Sequence, residues 1–108
     1  MSDLIIEVNP HANFAIKDQR QRFIAFVSAM LSAGRSGRPF EPYQLNPDSS
    51  DLEWVVDEHN DWWVFFDDEN PLRVRIKQRY DAPELATLGD WIAYRWRATV
   101  VAPASTPP

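Results

Sequence analysis

The chain reads as an α+β protein, a two-layer sandwich with one main helix packed on a mostly antiparallel sheet of four to five strands. Three observations predict it. Residues 19–33 carry the 3.6-residue apolar period of an amphipathic helix, while several segments between 52 and 80 alternate apolar and polar residues. The links between those alternating segments are short, as in an antiparallel meander. Their alternation also gathers apolar side chains on one side, a layer that a helix can cover.

The first strand is "DLIIEV" (3–8), which the turn formers of "NPHAN" end. Asp18, with Gln21 three residues on, has the pattern of a capping box. Phe23, Ile24, Val27, Met30 and Leu31 then form the stripe of a helix over 19–33, and Gly34 is a natural residue to close it. "RSGRPFEPYQLNPDSS" is a connection of unusual length, so it either serves a purpose or hides an extended stretch.

"LEWVVD" (52–57) and "WWVFFD" (62–67) are strands joined by "EHND", and "DENP" turns the chain into the strand 72–80. Pro71 sits where a missing N–H is tolerated. "APELATLG", a loop with one helical turn, leads to a last strand, "WIAYRWRATVV" (91–101). Residues 1–101 then make one domain, and 102–108 a flexible Pro-rich tail.

A length of 108 residues allows one core and no second. Five Trp, six Phe and three Tyr supply much of its buried area, at roughly 150–250 Å² per ring. No apolar run approaches the ~20 residues of a membrane span, and no basic segment precedes the first apolar one, so a cytoplasmic protein is expected. The absence of Cys excludes disulfides and thiol catalysis.

Alternation assigns the faces. Leu52, Trp54, Val56, Trp62, Val64, Phe66, Leu72, Val74, Ile76, Ile92, Tyr94 and Trp96 point toward the helix. Glu53, Val55, Asp57, Trp63, Phe65, Asp67, Arg73, Arg75, Lys77, Arg79, Trp91, Arg95 and Arg97 point away.

The net charge of −5 conceals a segregation: residues 39–71 hold ten acids and no Lys or Arg, and residues 72–80 hold four cations and no acid. Cations beside exposed rings are how some single-strand nucleic-acid binders work, although a pI near 4.8 argues against generic attraction to phosphate. The same cations could be answered across the sheet by Glu53, Asp57 and Asp67, at roughly 0.2–1 kcal/mol per pair. The acids at the turn ends would steer a basic partner. Phe40 and Tyr43, held among prolines, are further interface candidates.

Catalytic chemistry finds little support, and a convergent pair among the ten acids of 39–71 is the one catalytic route left open. His11 and His59 lie in turns, there is no Gly-rich phosphate loop, and no base is nominated for a Ser nucleophile. The acids 67–69 lack the longer ordered pattern of a Ca²⁺ loop, and Zn²⁺ ligands at fixed spacing are missing. No metal and no cofactor is expected.

The reading is a small acidic non-enzymatic binding protein acting through a protein–protein contact, as an inhibitor, immunity-type protein or accessory subunit, or as a charge decoy of nucleic acid. Its contact residues would be Asp57, Glu58, Asp61, Asp67, Asp68 and Glu69 for steering, Trp63 and Phe65 as anchors, and the row Arg73, Arg75, Lys77 and Arg79. The alternative is a single-stranded nucleic-acid module using the outer face. A homo-oligomer that pairs its sheet faces is a third reading.

Overall fold

In chain order the elements are β1 (Ser2–Glu7), a 3-10 turn (Pro10–Ala12), α1 (Lys17–Ser32), β2 (Tyr43–Gln44), β3 (Glu53–Asp57), β4 (Trp62–Phe66), β5 (Arg73–Gln78), α2 (Glu84–Trp96) and β6 (Thr99–Ala102). They are taken from a computed structural model that describes residues 2–32, 41–46, 51–57, 61–79 and 84–102. The strands make one antiparallel sheet in the order β2-β3-β4-β5-β1-β6. Both helices pack on one face of it. The expected α+β sandwich is present, with six strands rather than four to five and a second helix. Among the described residues no helix is long and apolar enough to cross a membrane.

α1 begins two residues before the expected start. The carbonyl of Ile16 accepts from Gln19 and Arg20 of its first turn, and Asn13 Oδ1 accepts from the N–H of Ala15 at 2.8 Å. Asp18 is therefore inside the first turn rather than its cap, and its carboxylate pairs with Arg22 at 2.8 Å. Phe23, Ile24, Val27, Ser28 and Leu31 form the buried side of α1. Gly34, the expected stop, lies outside the described residues.

The core joins that stripe to Leu4, Ile6, Val64, Phe66, Val74 and Ile76 on the inner face of the sheet, and to Leu85, Leu88 and Ile92 of α2. Burial of such side chains stabilises the fold by roughly 1.5–3 kcal/mol each. An aromatic cluster closes one end. Phe14 stands edge-on to Phe23 and Phe66 at 5.1 and 4.8 Å, and Trp96 packs on Phe23 at 5.3 Å. Arg20 fastens the same end, with Nη2 2.8 Å from Asp51 Oδ1 and Nη1 donating to the carbonyl of Phe14. Both charged side chains are largely buried, so this link holds α1 to the segment that leads into β3.

The expected strand 91–101 is replaced by the C-terminal half of α2 and by β6. Residues 92, 94 and 96 alternate, but Leu85, Leu88, Ile92 and Trp96 also recur at helical spacing, and that period begins seven residues earlier. Ile92 is buried as expected, whereas Tyr94 turns outward and is 81% exposed. Gly89 looks like a loop residue in the sequence, yet it lies inside α2, where a Cβ would stand 3.0 Å from Leu4 Cδ2. The missing side chain lets α2 approach β1 closely. β6 starts at Thr99 and ends at Ala102, a residue expected in the tail. β2 is the extended stretch within the long connection.

α2 stops at Arg97, whose φ of 51° is left-handed, and the N–H of Ala98 donates back to the carbonyl of Ala93 at 3.1 Å. Glycine adopts that conformation without the Cβ penalty. Arg97→Gly should therefore raise stability by about 1 kcal/mol, seen as a higher midpoint in thermal or urea unfolding. An unchanged or lower midpoint would mean that the Arg side chain supports the helix end more than its backbone strains it.

Candidate functional site

Among the described residues no helix covers the outer face of the sheet. Residues directly opposite in antiparallel strands share a face, so the registers give its rows. One row runs Tyr43, Val55, Trp63, Lys77, Asp3 from β2 to β1. The next runs Glu53, Phe65, Arg75, Ile5, from β3 to β1. A third contains Arg73, Glu7 and Thr99. The face thus divides into an aromatic and apolar half on β2, β3 and β4, a cationic stripe on β5, and two acids, Asp3 and Glu7, on β1.

Val55 illustrates the first half. It is buried, yet it stands apart from the main core, on the outer side between Tyr43 and Trp63. Trp63 and Phe65 are half-buried, and Tyr43 is exposed. Large rings partly open to water and already held by a sheet lose little rotamer freedom on contact, which suits them to anchor an interface.

The cationic stripe is answered from β1, not from β3 and β4. Arg73 Nη2 lies 3.1 Å from Glu7 Oε2. Both side chains are substantially exposed, so the pair contributes about 0–1 kcal/mol. Lys77 faces Asp3 across the same ladder. Arg75 differs, because its cross-strand neighbours are Phe65 and Ile5. Exposed between two apolar side chains, it makes no hydrogen bond or ion pair among the described residues. A shallow depression of about 270 Å³ opens there, lined by Ile5, Phe65, Phe66, Asp67, Arg73 and Arg75.

The acids expected to steer a partner divide. Asp57 is corrected: a bulge between Val55 and Asp57 sets it opposite Trp62, an inward residue, and leaves it 3% exposed. It has a partner within the protein and does not reach the outer face. Asp61, at a left-handed φ of 55°, lies 3.5 Å from Arg79. Asp67 Oδ1 accepts the N–H groups of Glu69 and Asn70, at 2.8 and 3.1 Å, and so builds its own turn. Asp68 and Glu69 remain exposed on that turn. Glu58 lies outside the described residues, as do Phe40 and His59.

Trp91, Arg95 and Arg97 are also corrected: they belong to α2 and its end, away from the outer face. Sequence reasoning missed three outer-face residues, Asp3, Ile5 and Glu7, because it did not place β1 beside β5; it named Tyr43 as an interface candidate without placing it on this face beside Val55. It also missed an exposed pair on α2, Trp91 and Tyr94, which the 85, 88, 92 spacing could have revealed. Among the described residues no three His, Asp or Glu side chains gather as a metal site.

Two substitutions separate the roles. Asp57→Ala should cost about 1–3 kcal/mol of stability by leaving a buried group unsatisfied. Arg75→Glu should leave the unfolding free energy within about 0.5 kcal/mol of wild type, as expected of an exposed residue with no bonded partner among the described residues. Urea unfolding of both variants checks this, and a large loss for Arg75→Glu would reveal an internal role. Compared with known proteins, the chain matches no family model, no curated protein and no solved structure.

Proposed function

We propose that this chain is a small non-enzymatic binding module whose open sheet face docks onto another protein, as an inhibitor, an immunity-type protein or an accessory subunit. The observation that carries this reading is the make-up of the face. Apolar and aromatic side chains fill one half of it (Val55, Trp63, Phe65), and charges of both signs stand directly beside them (Glu53, Arg75, Lys77, Glu7). Aromatic anchors next to charges of both signs suit a protein interface.

Size bounds the strength of the contact. Six strands about 4.8 Å apart and five residues long give a face of roughly 24 by 17 Å, or ~400 Å². A standard interface uses ~800 Å² per partner. Docking therefore either stays weak and transient or extends onto the 67–70 turn, where Asp68 and Glu69 add negative charge for steering. With Asp57 inside the fold and Asp67 bound in its turn, a charge decoy of nucleic acid has less to work with.

The alternative, a single-stranded nucleic-acid module, has Trp63 and Phe65 beside Arg75 and Lys77 in its favour. Against it, Asp3, Glu7 and Glu53 stand on the same face and repel phosphate.

Affinity capture with the immobilised protein tests the proposal. A bound protein should resist nuclease treatment and be lost with Trp63→Asp or Phe65→Asp, both checked for folding by circular dichroism. Arg75→Glu should weaken it about tenfold or more, the effect of removing a charged contact and opposing it. A captured species that is nucleic acid, with affinity falling steeply as salt rises, overturns the reading in favour of the alternative.

A further inference from the structure

α2 offers a second surface, on the side of the molecule opposite the open sheet face. Its inner side is set by Leu85, Leu88 and Ile92. Its outer side carries Thr87, Trp91 and Tyr94, with Trp91 50% and Tyr94 81% exposed. Neither ring stacks on another among the described residues. Two large rings side by side in water, on a rigid helix, form an apolar stripe without a partner.

We propose that this stripe is a self-association surface, on which α2 of a second copy of the chain packs in parallel. The charges beside the rings decide both the occupant and the direction. Thr87, Trp91 and Tyr94 fall at the d, a and d positions of a heptad. Asp90 then falls at g and Arg95 at e, one on each flank of the stripe; both are exposed and neither forms an ion pair among the described residues. In a parallel pair, a g residue meets the e residue five positions on in the partner helix. Two copies of α2 therefore set Asp90 of each against Arg95 of the other, twice by symmetry. An antiparallel pair sets g against g and e against e, which opposes Asp90 to Asp90 and Arg95 to Arg95. The helix is complementary to itself in one orientation only.

The area makes this a weak association. A helix of 13 residues is about 20 Å long and about 10 Å across, so its face offers roughly 200 Å². That is far below the ~800 Å² of a standard partner surface, so a weak dimer is expected, with a dissociation constant on the order of 0.1–1 mM as the value tested. The dimer leaves both open sheet faces free, so it would present two docking faces at once and gain avidity for a paired target.

Sedimentation equilibrium on the full chain tests the inference. The wild-type mass should rise from 12.5 kDa toward twice that value as concentration approaches the millimolar range. Asp90→Arg and Arg95→Asp, each placing like charges at both contacts, should weaken self-association roughly tenfold or more. A one-to-one mixture of these two variants should regain a dimer, because opposite charges then meet at both contacts. Trp91→Ser should abolish the dimer while circular dichroism stays unchanged. A wild-type mass that stays at 12.5 kDa throughout overturns the proposal. So does a dimer indifferent to all three substitutions but lost with Phe65→Asp, which would assign it to the sheet face.

Discussion

β1 lies between β5 and β6, and that placement decides what both faces of the sheet become. On the inner side it drives Leu4 and Ile6 into the centre of the core, beneath α2. On the outer side the same six residues lay Asp3 and Glu7 beside Lys77 and Arg73. A row of four cations, three on β5 and Arg79 just past its end, would otherwise repel itself along its length. β1 relieves that repulsion at two positions, and Asp61 meets Arg79 beyond the end of the strand. Arg75 is left with apolar neighbours on both sides.

Coverage is equally asymmetric. The aromatic cluster of Phe14, Phe23, Phe66 and Trp96 joins the loop after β1 to both helices and to β4, which commits all of them to the inner face. The bonds of Arg20 to Asp51 and to the carbonyl of Phe14 hold that end in place. Neither helix remains to cover the outer face, so Trp63, Phe65 and Tyr43 meet water beside the cationic stripe. The docking proposal rests on this division of labour between a closed side and an open one.

Alternation was legible wherever side chains of opposite character followed one another along a flat strand. Val64, Phe66, Val74 and Ile76 face the core as the period demands, and Trp63, Phe65, Arg73 and Arg75 face away. The misreadings have local physical causes. A bulge adds one residue to β3, and a period-two pattern loses phase there, so Asp57 turns inward. In "WIAYRW" a helix and a strand both repeat apolar residues over so short a window, and only the earlier Leu85 and Leu88 separate them. Gly89 hid the helix further, since its role is close packing against Leu4 rather than a turn.

By itself the sequence determined the fold class, the amphipathic helix, the first strand, the three meander strands, and the segregation of a cationic strand from an acidic stretch. These follow from local period and composition, which each segment carries without reference to the rest. Only the tertiary structure decided which strand answers the cations. Cross-strand pairing joins Ser2 to Gln78 and Glu7 to Arg73 across most of the chain, and nothing in either segment alone specifies that register. The same long-range pairing separates Arg75, flanked by Phe65 and Ile5, from the neutralised members of its row.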